Sequence, residues 1–173
     1  KPRIIIPHPV FKIAYKKNSA NQVHLGIGGK YSTITNSLGF KDKTSRHVAL
    51  KSANHRILFM GDSVTNGWLL NYEDSFVGLI EKRLQTSQIE VLNGALPGDS
   101  PILYWRKTKY LIESEGLQFN EVFLFLGVDD YYDERRSYLT YNLNVRGREI
   151  YKENRRPFRN KLKDLPNRSL HLR

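Results

Sequence analysis

The sequence predicts an α/β domain built on a parallel sheet, and three observations carry that expectation. Short strand-like segments recur at Ile57–Met60, Ile89–Leu92 and Glu121–Leu126. The first and the last stop at a glycine, Gly61 and Gly127. Between the runs lie two segments of helical period. The order β-α-β-α-β returns each strand parallel to the one before, through right-handed crossovers.

Ile57-Leu58-Phe59-Met60 is a continuous apolar run, the pattern of a parallel strand buried on both faces. Glu73–Gln85 places Phe76, Ile80 and Leu84 on one face, with acids in the first turn and Lys82 and Arg83 in the last. That charge order suits the helix dipole. Ile89–Leu92 is the second strand. Ser100-Pro101 reads as an N-cap followed by Pro at the first helical position, and the helix runs to about Glu115 with Gly116 as its C-cap. Glu121–Leu126 is the third strand. Three parallel strands leave an edge and part of a face uncovered, so the domain is expected to be incomplete or to borrow cover.

The chain divides by charge. Residues 1–55 hold ten Lys/Arg against one acid, residues 56–133 six against twelve, and residues 134–173 twelve against four, within a net charge of +11. The expected organisation follows these bounds. Residues 1–55 form a basic extended arm with one or two short strands, including Tyr31–Thr35. Residues 56–133 form the α/β core, and 134–173 a basic, mostly helical segment broken at Pro157 and Pro166. Solvated surface is the plain reading of the basic flanks; attraction to an anionic polymer or membrane headgroups is the sharper one. No nucleic-acid motif accompanies the charge, so a nucleic-acid partner is not favoured. The sequence has no Cys, which excludes disulfides, thiolate catalysis and Cys-based zinc sites. The chain does not begin with Met, and an upstream targeting segment removed by processing is one expectation. Oligomeric state is not legible.

Chemistry concentrates at the ends of the predicted strands. Gly61-Asp62-Ser63 follows the first directly, where an open α/β sheet binds its ligands. A serine there can present its hydroxyl while nearby backbone N–H groups face whatever it attacks. A second Gly-Asp-Ser, Gly98-Asp99-Ser100, is explained by the helix cap, and Ser100 is not expected to be a nucleophile.

Three blocks in order resemble the SGNH (GDSL-type) serine ester hydrolases. They are Ile57-Leu58-Phe59-Met60-Gly61-Asp62-Ser63-Val64-Thr65-Asn66-Gly67, then Val91 through Ser100, then Leu126-Gly127-Val128-Asp129-Asp130. Thr35–Asp42 is similar to a segment before the serine block in some bacterial members. The resemblance covers roughly residues 35–135. It implies a flavodoxin-like three-layer α/β/α sandwich, no cofactor and no metal. It also implies acyl-ester hydrolysis, or acyl transfer, through an acyl-serine. The implied substrates are carbohydrate O-acyl esters, lipid esters or thioesters, with polysaccharide modification outside the cell or at its envelope as the favoured setting. On this resemblance Ser63 is the nucleophile, and its N–H, the Gly98 N–H and the side chain at position 129 hold the oxyanion. Asp62, Asn66, Trp68, Asp130 and Tyr131 are candidate substrate contacts.

Two departures stand out. Position 129 is Asp where the family has Asn, replacing a donor with a carboxylate; protonation beside Asp130, or Asp130 taking part of the role, would restore it. The family's base is a His in a D-x-x-H block near the C-terminus. Here His8, His24, His47 and His55 precede the serine block and His171 lacks that context. A serine without a base is a poor nucleophile. The rival expectation is therefore a catalytically impaired member that binds an anionic glycan or lipid surface.

Overall fold

The computed structural model describes residues 4–25, 29–84, 88–132 and 134; all belong to the unit Lys1–Ser137. His171 and the helices expected in the basic C-terminal segment lie outside the described residues. Among the described residues, no helix is long and apolar enough to cross a membrane.

Strands β1 (Ile5–His8) and β2 (Lys12–Tyr15) form an antiparallel hairpin of their own. Strands β3 (Ala20–Leu25), β4 (Gly29–Thr35) and β5 (Lys41–Asp42) are antiparallel to one another in sequence order. Then come β6 (His55–Met60), β7 (Ile89–Asn93) and β8 (Glu121–Leu124), with β7 and β8 flanking β6 in parallel. The main sheet reads β3-β4-β5-β7-β6-β8. It is mixed rather than wholly parallel: the expected parallel trio forms its core, and β5 joins it antiparallel through Lys41 opposite Asn93.

Five strands thus precede residue 55 where one or two were expected. The physical reason is their composition. Tyr31–Thr35 falls in β4 as expected, whereas β1 carries Pro7 and β2 opens on Lys12, so neither shows an unbroken apolar run. Strand β5 is only two residues long.

Strand β6 carries the two faces of the core in alternation. Leu58 and Met60 pack with Leu92 of β7 and with Tyr104 and Leu111 of α3 (Pro101–Glu113). Ile57 and Phe59 pack with Val91 and with Val77 of α2 (Phe76–Leu84), where Phe76, Ile80 and Leu84 also sit. The expected helix over 73–85 is interrupted. Glu73 and Asp74 fall in a separate 3-10 turn, Tyr72–Asp74, because Ser75 is extended. Its hydroxyl donates to the Tyr72 carbonyl (2.6 Å) and accepts from the Gly78 N–H (3.1 Å), capping α2 from its first turn. In α3, Ser100 is the N-cap and Pro101 opens the helix, as expected, but the Ser100 hydroxyl makes no capping bond.

Behind the β6–β7 pair lies an ion network. Buried Arg56 donates to Glu90 at 2.6 Å, and Arg46 bridges Glu90 and Asp42 at 2.5 and 2.8 Å. It ties the segment before residue 55 to the core. On the other side, β8 pairs only with β6 among the described residues. Val122, Phe123, Leu124, Phe125 and Leu126 are exposed, so β8 leaves an edge and part of a face uncovered.

Candidate active site

The chain leaves β6 for β7 on one side, then returns to β8 on the other. In open α/β sheets such a reversal marks where ligands bind, beyond the carboxyl end of the strand, and Ser63 stands just beyond β6. It is the first residue of α1 (Ser63–Asn66), a single turn closed by Gly67 in the left-handed region. Asp62 caps that turn, its carboxylate accepting from the Val64 N–H at 2.9 Å. Gly61 is required: a Cβ there would stand 2.1 Å from Thr65 Oγ1 and 3.1 Å from the Phe125 carbonyl oxygen.

The three blocks converge on this turn. From the second block, Leu96 N–H donates to the Gly61 carbonyl (3.3 Å), Asn93 Nδ2 to the Thr65 carbonyl (3.1 Å), and Ala95 O accepts from Asn66 Nδ2 (2.8 Å). Just before the third, Phe125 N–H donates to the Met60 carbonyl at 3.0 Å. A Cβ on Gly127 would lie 3.6 Å from Asp62 Oδ2. Ser63 is half-buried and Gly98, at φ 78°, is exposed with open space around its Cα. Among the described residues neither backbone N–H is hydrogen-bonded.

Several sequence-derived contacts take other roles. Asn66 is fully buried, its amide spent on Ala95 and on the Tyr15 hydroxyl (3.2 Å). It pins the turn and has no surface to offer a substrate. Asp130 is buried as well: Oδ1 accepts from the Tyr104 hydroxyl at 2.6 Å and Oδ2 from the Gly127 N–H at 2.7 Å. The second bond reaches back to the start of the helical residues 128–132, a capping-box arrangement. Asp130 is therefore committed to the fold rather than to an oxyanion or to Asp129. Asp62 is spent on its cap. Asp129 is exposed, as are Trp68 and Tyr131; Tyr131 packs edge-on against Tyr132 at 5.7 Å.

No described histidine partners Ser63. His55 bonds Glu121 at 2.7 Å, at the opposite end of β6. At about 3.3 Å per residue that lies well over 15 Å from the serine turn. His8 stacks on Phe11 and meets Tyr110 on α3, and His47 is exposed.

The sequence missed the supports beneath the site. Lys41 is buried, and its Nζ donates to the carbonyls of Gly67 (2.6 Å) and Leu70 (2.7 Å). Burial lowers its amine to about 8. These bonds bracket Leu69, which holds φ 70°, a conformation costing a non-glycine residue roughly 1 kcal/mol. The segment Thr35–Asp42 is thus the clamp that shapes the loop after the serine. Asp99 is wholly buried with neither carboxylate oxygen hydrogen-bonded, and the Ser100 hydroxyl is likewise unpaired. Burial drives the Asp99 carboxyl up to about 7, against the pull of Lys107 and Lys12. A lysine at position 107, in helical register with Leu103 and Leu111, was the legible sign of buried charge here.

No family model matches the chain, and no curated protein matches it. Solved structures similar to part of it include AlinE4, an SGNH-hydrolase family esterase, and a mutant of the same esterase. Each aligns at 20% identity with a TM-score of 0.41, over 51% of this chain and 51% of its own. The chain thus spans about half the length of the structures it resembles.

Proposed function

We propose that this chain carries the nucleophile-bearing portion of a serine ester hydrolase of the SGNH type, in a flavodoxin-like three-layer sandwich. One observation carries the reading. Three sequence-distant turns meet at the carboxyl end of β6, with Ser63 half-buried there and the N–H groups of Ser63 and Gly98 both without partners among the described residues.

In the proposed reaction Ser63 Oγ adds to an ester carbonyl, and the negative charge on the carbonyl oxygen is taken by the two amides. The tetrahedral adduct collapses, the alcohol leaves with a proton, and water releases the acid from the acyl-serine. Each aimed amide is worth about 3 kcal/mol in such a step. Asp129 is exposed and stands where the family has Asn, and the proposal assigns the oxyanion to the backbone alone. The proton acceptor for Ser63 is not among the described residues. Carbohydrate O-acyl or lipid esters are the proposed substrate class.

A second reading has its own support. An Asp at position 129 and the want of a base beside Ser63 among the described residues suit a non-catalytic module that keeps the scaffold and binds an anionic glycan or lipid surface. Treating the natural protein with a fluorophosphonate separates the two. Labelling that disappears in Ser63→Ala supports the hydrolase; labelling that persists in that variant, or none at all, favours the module.

A further inference from the structure

The β1–β2 hairpin lies over α3 and the Leu38–Phe40 loop, and a cavity of about 210 Å³ remains between them. Its walls include His8, Phe11, Tyr15, Phe40 and Tyr110. The remaining feature is a cation. Lys107 enters from α3 with 4% of its surface exposed, and its Nζ lies 5.4 Å from the Phe11 ring centroid and 5.7 Å from that of Phe40.

An ammonium has three N–H donors and needs acceptors when it leaves water. Here ring faces supply attraction but no acceptor atom. Among the described residues no carbonyl, hydroxyl or carboxylate takes a hydrogen bond or close ion pair from Lys107. Burial lowers its basicity, with Asp99 opposing.

We propose that this cavity binds a small carboxylic acid with a flat apolar body, the carboxylate on Lys107 Nζ and the body between the aromatic walls. The volume equals that of about seven waters, enough for one substituted ring and too small for a long acyl chain. One compact cation suits a single negative charge. Glu115, at the rim in an ion pair with Lys17 at 3.7 Å, and Asp99 beyond Lys107 both oppose a dianion. The site is built from the hairpin and the far part of α3, so it stands whether or not Ser63 is catalytic.

Benzoate is the probe, with benzamide as its uncharged counterpart, both followed by titration calorimetry on the whole chain. Benzoate is expected to bind, benzamide to bind about tenfold more weakly, and Lys107→Met to remove that preference. The methionine preserves length and is apolar, so the variant is expected to fold; thermal unfolding checks this. Should it not fold, NMR contacts between benzoate ring protons and the rings of Phe11 and Phe40 in the unmodified protein decide. No benzoate binding, equal affinity for benzamide, an undiminished preference in Lys107→Met, or contacts elsewhere would each overturn the proposal.

Discussion

Asp99 offers a quantitative handle on the buried interior beneath the site. Its carboxyl is raised from 3.8 to about 7, chiefly by burial, with Lys107 and Lys12 acting in the opposite sense. The unfolded chain releases this proton near 4 while the folded chain holds it until about 7. Between those values the folded state binds more protons, so stability falls as pH rises, and the loss levels off above 7. Each pKa unit corresponds to about 1.4 kcal/mol, and linkage over the interval from pH 5 to pH 8 gives a loss of roughly 2.5 kcal/mol from this group. Asp99→Asn keeps the shape and removes the titration. Urea unfolding followed by tryptophan fluorescence at both pH values measures the effect. The unmodified protein should lose roughly 2.5 kcal/mol more than the variant on going from pH 5 to pH 8. Parallel pH profiles for the two proteins would refute the reasoning, because Asp99 would then be hydrated or paired in the folded state.

Two further substitutions test the fold around the serine turn and the strand core. Gly61→Ala pushes a methyl into Thr65 Oγ1 at 2.1 Å; a loss of about 2 kcal/mol is expected from such overpacking, seen as a lower thermal midpoint. Glu90→Gln strips Arg56 and Arg46 of their shared partner, with an expected cost of about 3 kcal/mol near neutral pH. Hydrogen bonds and charge from both arginines hold the Glu90 carboxyl below its ordinary value against the cost of burial. Its contribution is therefore present above the ordinary carboxylate range and fades as pH falls through its lowered value. Urea midpoints for Glu90→Gln should converge on those of the unmodified protein in acid.

The parallel core was legible because Ile57–Met60 and Val122–Leu126 are unbroken apolar runs and because Gly61 marks where β6 ends. Ser100-Pro101 located the start of α3 for the same local reason. What failed was everything set by long-range pairing. Lys41-Asp42 carries no strand signal, yet it joins β4 to β7 and sends a lysine under the serine loop. Asn66 and Asp130 looked available because polar residues beside a catalytic motif invite that reading. Their burial follows from partners 29 and 26 positions away, Ala95 and Tyr104, which no local pattern discloses.

The central claim concerns where Ser63 and Gly98 aim their N–H groups. A crystal structure of the phosphonylated natural protein measures it directly. The account predicts phosphorus on Ser63 Oγ, with the phosphonyl oxygen about 3 Å from both amide nitrogens. A phosphonyl oxygen turned away from Gly98, or an adduct on any other side chain, would contradict it.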